Sequence, residues 1–199
     1  EEVHPLVPCE GTPAILARHF AKDTAERIRK NWKDGAQSWL KNAPNQSPQS
    51  FFRSRLEGLC RQFEKDWSQE LASIKLDCEG DSDRHGCQPR SYWLFGTMAH
   101  PDAAVSSPFR CAIEFDRQPS GDGTNWSGFK QRLGKTLFHV LSGAYDAAIQ
   151  VYVLTDEKQS PYDYWTNDRG NQGWERLYSL ATLERLDSLG VHVAVISGY

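Results

Sequence analysis

At 199 residues, with 39% apolar and 25% charged side chains, the chain has the length and composition of one substantial globular domain. No apolar run approaches the roughly 20 residues that span a bilayer, and the N-terminus lacks a basic segment followed by an apolar stretch, so a soluble, intracellular (cytoplasmic) protein with no membrane partner is expected. A formal charge of −3 excludes neither nucleic acid nor small ligands, because DNA binding takes a local basic face rather than a basic total.

Residues 1 to 12 contain Pro5, Pro8 and Gly11 and read as an extended arm. Thr12-Pro13 then starts a helix running to about Lys41, with Gly35 as a point of interruption. Ile15, Leu16, Phe20, Ile28, Trp32 and Trp39 form its apolar stripe, and Lys22, Arg27, Arg29, Lys30 and Lys33 leave much of the remainder basic. After the turn at 43 to 48, Phe52, Leu56, Leu59, Cys60, Phe63, Trp67, Leu71 and Ile74 recur at helical spacing, predicting a second helix over roughly 48 to 75. A polar loop between Cys78 and Gln88 leads to a strand at Tyr92–Phe95, followed by strands at about 101 to 106 and 109 to 116. The segment 117 to 125 is a breaker, and Trp126, Phe129, Leu133, Leu137, Val140 and Leu141 describe a third amphipathic helix ending near Gly143. A strand at 148 to 154, a polar loop, a helix over 174 to 189 and a buried strand at 191 to 196 complete the chain. The expected fold is α/β (α+β mixed): a single domain with a central mixed sheet flanked by helices. Five cysteines, an odd number without regular spacing, with Cys60 and Cys111 on buried faces, point to reduced thiols.

The chemistry is concentrated between residues 100 and 118. Residues two apart on a strand share a face, so Glu114 and Asp116 point one way while Cys111, Ile113 and Phe115 point the other. A hairpin through Ser106-Ser107-Pro108 brings Asp102 beside them, and three converging acids suit a hard divalent cation, Mg2+ or Mn2+. On the second helix Glu70 lies close to the centre of the apolar stripe, with no Lys or Arg three or four residues away to pair with it.

Pro101-Asp102, eleven intervening residues and then Glu114-Phe115-Asp116, set in an order of helix, three strands, helix, strand, resemble the PD-(D/E)XK (restriction-endonuclease-like) nucleases over about residues 48 to 154. The resemblance implies that Asp102 and Glu114 bind metal, that Glu70 supports the metal and that the Phe115 carbonyl supplies a further contact. It implies a Mg2+-dependent endonuclease, with nucleic acid as partner, DNA rather than RNA, and a homodimer among the expected assemblies because cutting both strands usually takes two sites. The family's lysine is replaced here by Asp116. Lys130, on the flank of the next helix, is the candidate substitute, whereas Lys135 is expected to point away.

Competing readings stand beside these. Glu114 and Asp116 can belong to an edge strand whose polar face meets water, paired with Arg110 or Arg117. Glu70 can pair with a cation of the first helix, and Lys130 can be a solvated flank residue. Cys78, His85 and Cys87, with Cys9, offer zinc donors but lack the usual ligand spacing. Arg53, Arg55 and Arg61 offer a basic face, and the loop carrying Trp165, Asn167, Asp168 and Arg169 a substrate contact. The alternative functions are a catalytically inactive nucleic-acid-binding or protein-interaction module on the same fold, or a glycosidase. The glycosidase is disfavoured because its two carboxyls must flank a bond from opposite sides.

Overall fold

The computed structural model of the chain describes residues 12–67, 72–79, 89–118, 126–155 and 182–198. Three helices come first: α1 (Thr12–Asn31), α2 (Lys33–Asn42) and α3 (Pro48–Asp66). The strands are β1 (Lys75–Cys78), β2 (Tyr92–Leu94), β3 (Thr97–Ala99), β4 (Ala103–Ser107), β5 (Cys111–Gln118), β6 (Ala147–Leu154) and β7 (Val191–Ser197), with α4 (Trp126–Leu141) between β5 and β6. A last helix, α5, covers 182–188.

Among the described residues, five strands form one mixed sheet in the order β1-β4-β5-β6-β7, and β2 and β3 pair separately as a hairpin. β1 pairs with β4 and β4 with β5 antiparallel, while β5 pairs with β6 and β6 with β7 parallel. The mixed α/β class with a helix-flanked central sheet is therefore what the chain adopts. The parallel strands show why the pattern reads as it does: a parallel sheet is covered on both faces, and all eight residues of β6 are buried.

One face of the sheet carries Val105, Cys111, Ile113, Ile149, Val151 and Ile196, which pack against α1, α2 and α3 in the main core. Its centre is aromatic. Phe52 stacks on Trp32 at 4.9 Å and on Phe115 at 6.0 Å, and Phe20 meets the edge of Phe63 at 5.2 Å. The other face carries Ala104, Ala112 and Ala148, small residues over which α4 lies, with Leu186 of α5 beside them.

Three expectations are corrected. The first helix breaks at Trp32, not Gly35, because the buried indole turns onto Phe52. Gly35 instead makes room: a Cβ there would stand 2.8 Å from the Arg55 guanidinium. The second helix ends at Asp66, short of residue 75, and Lys75–Cys78 is the sheet's first strand. Tyr92–Leu94 consequently belongs to the separate hairpin and not to the main sheet. The free thiols of Cys60, Cys78 and Cys111 are buried, as expected for the first and third. No helix among the described residues is long and apolar enough to cross a membrane.

Candidate functional site

β4 and β5 are joined by a short turn at residues 108–110 and pair from Val105↔Cys111 to Ala103↔Ile113. Beyond that pair the partner strand is replaced by a side chain: Phe115 N–H donates to Asp102 Oδ2 at 2.7 Å. Asp102 thus sits in the fork where the strands part, next to Glu114. A strand residue's N–H and C=O project to the same edge, so the Phe115 carbonyl leaves β5 on the Asp102 side. On the far side of Asp102, its carbonyl accepts from Glu79 N–H at 2.8 Å, and the Glu79 carboxylate is held by His100 at 3.0 Å and by Gln49 of α3 at 3.4 Å.

Glu114 faces α4 and is 3% exposed. Its two oxygens are engaged by residues one helical turn apart: Lys135 Nζ at 3.0 Å and His139 Nε2 at 2.6 Å. His139 is fully buried, and the Tyr92 hydroxyl of the hairpin meets its Nδ1. A carboxylate only accepts, so the pattern that satisfies every group puts the proton on Nε2 and lets the Tyr92 hydroxyl donate to Nδ1. The same side of α4 sends Thr136 Oγ1 to Gln150 Oε1 and Arg132 Nε to Asp116 Oδ1, the latter at 3.7 Å. A polar stripe of α4 at positions 132, 135, 136 and 139 therefore answers a polar row of the sheet made by Asp116, Glu114 and Gln150.

Burial, then the charge of Glu114, pushes the Asp102 carboxyl up from 3.8 to about 7; the Phe115 N–H and Lys135 oppose that rise, and Glu79 adds to it. A further acid, Asp77, is 4% exposed on β1, and its Oδ1 has no hydrogen-bond partner among the described residues, with Lys75 Nζ 3.7 Å away. The donors fit a hard divalent cation: the carboxylate just before β4, the Glu114 carboxylate of β5 and a backbone carbonyl, all oxygen.

The predicted residues fare differently. Asp102, Glu114 and Phe115 are brought together, but the expected convergence of three acids is not formed: Asp116 turns to Arg132, and among the described residues no group of three His, Cys, Asp or Glu is arranged to hold a metal. Lys135, which the apolar spacing turns away from the sheet, instead reaches Glu114. The apolar residues of α4 misplace its buried face, because Thr136 and His139, both fully buried, shift the centre of that face by roughly 50° toward Lys135 at about 100° per residue. The Lys130 side chain lies outside the described residues. So does Glu70, and the helical phase that aimed it inward required a helix continuing past Asp66. The edge-strand reading fails, since β5 is the middle strand of five; Arg110 pairs with Asp146 at 2.8 Å, and Arg117 donates to the Pro44 carbonyl. Cys78 is turned into the main core, with its thiol pushed up by burial to about 11; His85, Cys87, Cys9 and residues 165–169 lie outside the described residues. Arg53 and Arg55 are matched by Glu57 and Asp34.

No protein-family model, curated protein or solved structure matches this chain. The reading of the site accordingly rests on its own geometry. Among the residues around the site, His139, Glu79, Arg132 and Asp77 are not singled out by the sequence. The signal for Glu79 was present in Ile74, Leu76 and Cys78, whose period of two marks a strand delivering the acid at its end. For His139 it was the spacing 132, 135, 136, 139, one polar face of a helix.

Proposed function

We propose that this protein is a divalent-metal-dependent nuclease that hydrolyses phosphodiester bonds in DNA. The observation that carries the reading is the meeting of Asp102 with Glu114 in the fork between β4 and β5, with Lys135 3.0 Å from Glu114. The order α3, β1, β4, β5, α4, β6 supports it, being the helix, three strands, helix and strand of the PD-(D/E)XK pattern. Lys135 takes the place of the missing strand lysine, since its ammonium lies against the motif glutamate from the following helix.

Asp102, Glu114 and the Phe115 carbonyl would hold Mg2+ or Mn2+, which supplies a water of lowered pKa and charge neutralisation at the scissile phosphate. The chain's own groups then divide the work. Lys135, about one-third exposed, reaches both Glu114 and solvent and offers a donor to a phosphate oxygen or to the attacking water. His139 and Tyr92 fix the rotamer of Glu114 from behind. Arg132 neutralises Asp116, so that the acid at the lysine position does not repel the substrate.

One observation favours a second reading, an inactive binding module: both oxygens of Glu114 are already engaged by Lys135 and His139. Incubation with supercoiled plasmid and with single-stranded DNA, in Mg2+ or in EDTA, separates the two. A nuclease cuts in Mg2+, stops in EDTA and is silenced by Glu114→Gln. DNA binding without cutting in either Mg2+ or Mn2+ would establish the module.

A further inference from the structure

The β2–β3 hairpin shows its most hydrophobic side chains to solvent. Trp93 and Met98 are directly opposed across the ribbon and are 72% and 53% exposed, and Phe95 at the tip is 83% exposed. Isolated hairpins are marginal in water, yet this one is fastened at several points. Tyr92, on its inner face, meets His139; Tyr145 donates to the Arg90 carbonyl at its base at 3.3 Å; Thr97 closes the turn onto the Leu94 carbonyl at 2.9 Å. The ribbon is therefore a supported platform with an aromatic outer face.

Its tip uses an expensive residue. The two turn residues, Phe95 and Gly96, have φ of +46° and +78°, the combination that two-residue hairpins normally fill with Asn-Gly, Asp-Gly or Gly-Gly. Phe at the first position costs backbone strain that a smaller residue would avoid, and its ring is spent on solvent and on the edge of Phe138, 5.4 Å away. Phe138 lies one turn beyond Lys135 on α4. A surface path thus runs from Lys135 through Phe138 to Phe95 and Trp93.

Charge identifies the occupant. In an acidic chain, neither residues 89–100 nor α4 contains a single Asp or Glu, while together they carry Arg90, Lys130, Arg132 and Lys135. Aromatic rings standing proud on two elements without acids, beside Arg132 and Lys135, which reach from Asp116 and Glu114 out to solvent, match nucleotides with unpaired bases, whose faces stack on the rings while their phosphates meet the cations.

Resting on the nuclease reading of the adjoining site, we infer that the hairpin is a stacking platform for unpaired bases, so that the substrate is single-stranded DNA or a junction with single-stranded character. Its test is fluorescence anisotropy of a labelled single-stranded oligonucleotide and of the matching duplex, in EDTA so that nothing is cut. The samples are the native protein, Trp93→Leu and Trp93→Tyr, each checked for an unchanged melting temperature. Leucine keeps apolarity without a π-face and weakens single-strand binding about tenfold; tyrosine restores it, and duplex binding moves less than twofold. Equal single-strand affinity for the leucine variant overturns the inference, as does equal loss on duplex. So does a native dimer that the leucine variant disperses, which would make the patch a self-interface. Trp93-dependent binding without Mg2+-dependent cutting sinks the nuclease reading and leaves the platform. Glu114-dependent cutting of single strands that Trp93→Leu does not slow does the reverse.

Discussion

Replacing Asp102 by Asn should stabilise the protein in weakly alkaline solution and leave it nearly unchanged in acid. In the folded state the Asp102 carboxyl keeps its proton up to about pH 7, chiefly because it is buried and secondly because Glu114 is beside it, whereas in the unfolded chain it ionises near 3.8. Between those two values the folded protein binds more protons than the unfolded one, so stability falls as pH rises from about 4 to about 7 and is flat above. Three decades at about 1.4 kcal/mol each set a ceiling of about 4 kcal/mol. Relaxation and water entry reduce what is realised, and a gain of about 1–3 kcal/mol for Asp102→Asn at pH 8 is expected. Asn keeps an oxygen to accept from Phe115 N–H, so the hydrogen bond survives while the charge is removed. Urea unfolding followed by tryptophan fluorescence at pH 4, 6 and 8 measures it, and the difference between variant and native at each pH cancels the titrating groups that are not coupled to Asp102. A difference that is the same at all three pH values would refute the electrostatic account of the fork. Mg2+ at pH 8 should narrow the gap, because a cation favours the ionised form that only the native protein has.

Lys135→Met should lower the cleavage rate about a hundredfold or more with its fold retained, measured on a single-stranded oligonucleotide under single-turnover conditions; an unchanged rate would remove Lys135 from the site. Phe52→Ala should cost about 3–5 kcal/mol in urea unfolding, because it deletes a fully buried ring stacked between Trp32 and Phe115. A loss under 1 kcal/mol would mean that this cluster does not organise the core. The Cys60 thiol, pushed up by burial to about 12, and the Cys111 thiol, raised well above its usual range, should resist a thiol-reactive disulfide reagent at pH 8 and react once denaturant is added; prompt reaction in native buffer would contradict their burial.

Strands with two covered faces were legible because their composition leaves little choice: Cys111–Phe115 and Ala147–Leu154 are apolar almost throughout, and the breaks in that pattern, Glu114 and Asp116, advertise themselves. The pairing of Asp102 with Glu114 followed from a short turn and a period of two. What sequence reading misjudged was phase. Apolar spacing alone carried α3 past Asp66 into a strand, hiding β1 and Glu79, because Trp67, Leu71 and Ile74 continue the helical register after the helix has ended. On α4 the buried polar residues Thr136 and His139 face a polar row of the sheet, so hydrophobicity points to the wrong centre and hides Lys135. The first error arises because an apolar spacing outlasts the helix that it marks, the second because polar residues are buried against polar partners, a match that only the folded neighbours reveal.

The central claim is that Asp102 and Glu114 act as one pair on a single divalent cation. Calorimetric titration of Mn2+ into the native protein, Asp102→Asn and Glu114→Gln measures it directly. One site in the native protein, lost in both variants, is the predicted result; Mn2+ bound equally by all three would contradict it.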